Sequence, residues 1–60
     1  MTWEDRTAAY DAGVRAGAAH VLDGAQLAPP WHRQSRRTVY WKLGANRAIA
    51  ALQAIAAARP

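Results

Sequence analysis

The chain contains no cysteine. A disulfide framework and a thiolate metal site are therefore both excluded. Its two histidines, His20 and His32, are too few and too far apart to point to a metal, and no cofactor is expected. A Gly-rich phosphate loop ending in Lys and Ser or Thr is missing, which removes a Walker-type nucleotide site. Ser35, His32 and Asp23 could nominally supply a nucleophile, a base and a carboxylate. They fall on one linker of a very short chain with no room to exclude water, so the reading is a non-enzyme. No apolar run approaches the roughly 20 residues a membrane span needs. The longest, residues 48–58, is mostly alanine and is broken by Gln53. Glu4 and Asp5 near the start, with no long apolar stretch behind them, do not resemble a secretory signal. A cytoplasmic location without a membrane partner is expected.

Acid is also missing, but only from one half. Residues 1–30 carry Arg6 and Arg15 against Glu4, Asp5, Asp11 and Asp23. Residues 31–60 carry Arg33, Arg36, Arg37, Lys42, Arg47 and Arg59 and no acid at all. The overall charge of +4 thus conceals −2 in the first half and +6 in the second. Such a local positive potential favours a polyanion.

The pattern predicts an all-α fold of two helices joined by a Pro-containing linker, a small helical hairpin-like domain. The first helix is expected over about residues 2–22. Thr2 followed by Asp5 resembles a capping box, and Glu4 and Asp5 complement the positive end of the helix dipole. Trp3, Thr7, Tyr10, Val14, Gly17 and Val21 then recur at spacings of three and four. Gly24 is placed to cap the C-terminus. Ala9, Gly13 and Gly17, four apart, form a ridge of small residues that lets another backbone approach closely. Pro29 and Pro30 force an extended linker over about residues 23–34, with Leu27 and Trp31 beside them as a lid on the core. The second helix, about residues 35–58, is expected to start at a Ser35 cap, with Arg59 suiting its negative end. It carries an apolar stripe of Trp41, Ala45, Ala48, Leu52 and Ile55, beside which Gly44 again permits close approach. The large residues available for a core are Trp3, Tyr10, Val14, Val21, Leu27, Trp41, Ile49, Leu52 and Ile55. A chain of 60 residues buries little surface, so a homodimer, or ordering by a partner, is expected.

Within twelve residues, Trp31, His32, Arg33, Arg36, Arg37, Tyr40, Trp41 and Lys42 interleave aromatic and cationic side chains. Arginine presents a planar fork to phosphate, and aromatic rings stack unpaired bases. Arg33, Arg36, Arg37, Lys42 and Arg47 are the candidate phosphate contacts, with Arg47 returning to the face of Arg36 and Arg37. Trp41 lies on the apolar stripe and reads as core. Trp31 and Tyr40 are open to base stacking or to shaping the linker.

These residues also resemble a known family. The run Ala9-Tyr10-Asp11-Ala12-Gly13-Val14-Arg15-Ala16-Gly17 looks like the first-helix signature of ribosome modulation factor. Pro29-Pro30-Trp31 looks like that family's Cys-Pro-Tyr turn, and Arg37 to Trp41, Gly44, Arg47 and Ala48 resemble its second helix. The likeness covers about residues 8–52. It departs at Pro29, which replaces the cysteine, and at Ala45, which stands where a tryptophan is expected. The linker is also longer, and one extra residue separates Trp41 from Gly44. The resemblance implies a divergent ribosome hibernation factor that binds the rRNA of the small ribosomal subunit and inhibits translation. The same fold group includes a small protein that modifies fluoroquinolone-type drugs, so a small-molecule function is one alternative. A helix-pair module for protein interaction is another.

Overall fold

The computed structural model describes residues 2–58. It contains two helices, α1 (Trp3–Asp23) and α2 (Arg36–Ala58), and no strand among the described residues. Arg59 lies outside them, so its expected role at the end of α2 is not described.

Both starts are fixed by local chemistry. Thr2 is extended, its hydroxyl accepts from the Asp5 N–H at 3.1 Å, and Asp5 Oδ2 accepts from the Thr2 N–H at 3.4 Å. This reciprocal box satisfies two backbone donors that a helix start leaves free. Ser35 Oγ accepts from the Arg37 N–H at 3.2 Å, and the Ser35 carbonyl accepts from the Thr38 N–H at 3.1 Å. The end of α1 is equally defined. Gly24 sits at φ 71°, ψ 19°, and its N–H donates to the His20 carbonyl while the Ala25 N–H reaches back to Ala19. Only a residue without a Cβ adopts that left-handed cap at no cost. The His20 Nδ1–H donates to the Ala25 carbonyl at 2.9 Å, since a carbonyl can only accept.

The two helices run in the same direction. Gly13 faces Trp41, Gly17 faces Ala45, and Gly44 faces Tyr10 and Val14. The residue numbers on the two helices rise together along the seam, as they cannot in an antiparallel pair. The connection is therefore no tight turn. It must return the chain most of the way along α1, from Asp23 to about the level of Ala8, roughly 22 Å. Residues 24–31 can span about 25 Å in a polyproline conformation before the turn at residues 32–35, so the distance is closed with little to spare. This gives Pro29 and Pro30 a physical role: they keep the linker extended. Leu27, Pro29 and Trp31 are half-buried while Ala28 and Pro30 are exposed, the alternation of an extended strand lying on the helices. Leu27 and Trp31, expected to cover the core, are thus partly withdrawn from water. The lower end of the linker is pinned by Thr38, fully buried, whose hydroxyl donates to the His32 carbonyl at 2.8 Å.

The seam overturns the expected core. Ala9, Gly13 and Gly17 of α1 are buried against Trp41, Gly44 and Ala45 of α2. A Cβ built on Gly17 would stand 2.5 Å from the Ala45 carbonyl oxygen. On Gly13 or Gly44 it would overlap the carbonyl oxygens of Trp41 and Tyr10 still more severely. The glycine hydrogens occupy those positions instead, the geometry of Cα–H···O contacts between close helices. Backbones this near leave no room for large side chains at the glycine contacts. Trp41 is buried as expected, at 4% exposure, but Trp3, Val21 and Ile55 are exposed. Tyr10, Val14, Leu27, Ile49 and Leu52 are only half-buried along the flanks. No helix among the described residues is long and apolar enough to cross a membrane.

Candidate nucleic-acid interface

A parallel pair places both helix starts at one end of the molecule. Each start exposes backbone N–H groups and the positive pole of a helix dipole. The sequence adds Arg33, Arg36 and Arg37 at the start of α2 and Arg6 at the start of α1, all exposed. The first turn of α2 holds no acid. Two cations beside a positive pole oppose the dipole by about 0.3–1 kcal/mol each. Asp5 offsets part of this across the seam. Its carboxyl is held below the ordinary carboxylate value, first by the hydrogen bonds with Thr2 and further by the charge of Arg37.

The helical spacing then divides the expected phosphate contacts. Arg36, Tyr40 and Arg47 are four and seven residues apart, so they share one flank of α2. Lys42, two residues beyond Tyr40, lies about 200° around the helix and belongs to the other side. Arg37 leans toward the linker, its guanidinium 6.0 Å from the centre of the half-buried Trp31 ring. Trp31 therefore has a structural use, covering the seam and carrying Arg37, within the range of a cation–π contact. Ala9, Gly13, Gly17 and Gly44, read as permitting close approach, are consumed by the packing of the two helices on each other.

Several participants were missed in the sequence because they belong to the acidic half. The Arg6 guanidinium lies 5.8 Å from the centre of the Tyr40 ring. Trp3, Arg6, Thr7 and Tyr10 of α1 line an open concavity with Tyr40, about 290 Å³ in volume. Trp3, Thr7 and Tyr10 belong to the helical series of the sequence, which points Trp3 and Tyr10 to the core, whereas Arg6 carries no signal beyond its charge. Only the parallel direction of α2 brings them to Tyr40. A second open depression on the same flank, about 530 Å³ in volume, is lined by Tyr10, Leu43, Asn46, Arg47 and Ala50.

The nominal triad is not assembled. Ser35 Oγ caps α2, His32 Nδ1 accepts from the Gln34 N–H at 3.1 Å, and Asp23 ends α1 at the opposite end of the helix pair. Among the described residues no group of three His, Cys, Asp or Glu side chains could hold a metal ion. Compared with protein-family models, curated proteins and solved structures, the chain matches none.

Proposed function

We propose that the protein is a small RNA-binding factor that acts on the ribosome and inhibits translation, in the manner of a hibernation factor. The observation that carries this reading is the end at which both helices start. There, exposed Arg6, Arg33, Arg36 and Arg37 meet two positive helix poles, and the basic flank continues to Arg47 along a helix without acid. Arginine forks suit phosphate oxygens, and counterion release makes such binding strong at low salt. The resemblance to ribosome modulation factor narrows the target to the rRNA of the small subunit and the location to the cytoplasm. Lys42, on the other side of α2, is assigned a secondary part.

The test is co-sedimentation of the purified protein with bacterial ribosomes and separated subunits at low and raised salt. The expected result is stoichiometric association with the small subunit that weakens steeply as salt rises. Absence of association at both salt concentrations overturns the reading.

One observation favours a second reading, a protein partner or a homodimer. The chain exposes 4595 Å², whereas a compact monomer of 6.5 kDa exposes roughly 3,800 Å². Val39 and Leu43 are half-exposed on the outer side of α2, above a bare alanine surface. Two copies joined along α2 would bring like charges together, so we rank this second. Binding that survives raised salt would favour it.

A further inference from the structure

We propose that the concavity between the start of α1 and Tyr40 receives one unpaired base of the RNA strand held by the basic flank. This rests on the RNA reading above and adds to it the kind of RNA: single-stranded, not duplex.

The site is built mainly from rings. Trp3, Tyr10 and Tyr40 supply three of its five walls, Arg6 a fourth and Thr7 the last. Its volume of about 290 Å³ is at the lower end of small-molecule pockets, enough for one ring system. An isolated apolar side chain on a surface needs no explanation. Trp3 is a different case: it is 76% exposed, has no part in the seam, and borders two half-buried tyrosines and a cation. A base entering here would remove the Trp3 ring from water and lie against aromatic faces. Arg6, already over Tyr40, extends the stacking surface with a guanidinium plane.

Charge and register choose the occupant. Tyr40 sits on the flank that also carries Arg36 and Arg47, so a phosphate chain following those cations passes the mouth of the concavity. A rigid duplex keeps its bases stacked internally and has none to offer. The Thr7 hydroxyl donates to the Trp3 carbonyl at 3.1 Å, so the ring faces, more than this hydroxyl, are what the concavity offers a base. Stacking strength gives such a concavity a modest preference for purines.

The experiment measures affinity of the full chain for a 12-nucleotide oligoadenylate and for an RNA duplex with the same number of phosphates, at one salt concentration. The single strand should bind more tightly. Trp3→Ala should weaken that binding about tenfold and leave both duplex affinity and salt slope unchanged. Trp3→Phe should recover most of the loss, and circular dichroism should show α1 intact in both variants. Equal affinity for strand and duplex, with no effect of Trp3→Ala, overturns the base site and leaves the RNA reading standing. Failure to bind either RNA overturns both. Binding of free adenosine monophosphate as tightly as the strand overturns the placement on a phosphate chain.

Discussion

The two ends of this helix pair are built from different chemistry. At one end both helices begin, and Trp3, Arg6, Arg33, Arg36, Arg37 and Tyr40 crowd around two capped N-termini. At the other, α1 stops at Gly24 beside exposed Val21 and Leu22, and α2 continues as a bare run of alanines with Ile55 half-exposed. Between the two lies a seam of glycine, alanine and Trp41. Parallel packing is what sorts these properties. An antiparallel pair would have put the Arg cluster of α2 beside the end of α1 and separated Arg6 from Tyr40. The lesson is that a close-packed seam can be chemically simple while determining which functional side chains become neighbours.

The sharpest way to break this arrangement is at the seam. Helix propensity alone predicts that Gly13→Ala stabilises the protein by about 1 kcal/mol. The clash with the Trp41 carbonyl predicts the reverse, a loss of about 3 kcal/mol or more, because backbone cannot yield as a side-chain tip can. We expect packing to win. A thermal melt, with near-ultraviolet dichroism following the packed aromatic rings, should show the tertiary signal lost at lower temperature; a raised melting temperature would refute the seam.

Removing cations from the charged end is the next largest change. Arg36→Ala with Arg37→Ala should weaken RNA binding roughly tenfold at low salt and flatten the salt dependence by about one to two units of slope. Both side chains are exposed, so helix content should stay as it was. A fall in helicity would reassign them to structure.

Thr38→Val probes the link between linker and α2. It removes the hydroxyl that donates to the His32 carbonyl while keeping the shape, at a cost of about 1 kcal/mol. The linker around Trp31 should become more accessible, which fluorescence quenching would report. At the alanine end, Ile55→Ala should change stability by less than about 0.5 kcal/mol. A larger, concentration-dependent loss would mark that end as a contact between copies. The smallest effect concerns pH. The Asp5 carboxyl titrates below 3.8 in the folded chain, so its contribution is complete above that value and disappears as pH falls through the lowered one. Helicity of α1 should decline slightly only in that acid range, and Asp5→Asn should remove the dependence.

Much of the fold was legible from local chemistry. Thr2, Asp5, Gly24 and Ser35 each act within a few residues of themselves, and each cap is where the sequence placed it, with helix bounds shifted by about one residue. The small-residue ridge was also legible, because the spacing of Ala9, Gly13 and Gly17 has few other uses. The core was not. Ranking large apolar residues assumes that helices stand apart by the width of their side chains, and three glycines remove that width. Thr38 was missed for a related reason: it occupies the stripe position three residues before Trp41, yet a polar residue there was not counted as core. The site was half legible. Arg33, Arg36, Arg37, Tyr40 and Arg47 come from one continuous stretch, and helical spacing alone puts Arg36, Tyr40 and Arg47 on one flank. Trp3, Arg6 and Tyr10 join them only through the direction of α2, which periodicity does not encode.

The long return of the linker also shapes how the chain must fold. In an antiparallel helix pair joined by a tight turn, the turn brings neighbours together first, and the remaining pairs close like a zip. Here the first pairing, whether Gly13 with Trp41 or Gly17 with Ala45, must close a loop of 28 residues. Loop entropy rises only slowly with length, so every register along the seam begins at nearly the same cost. The connection therefore does not choose the alignment of the two helices. Three missing methyl groups do.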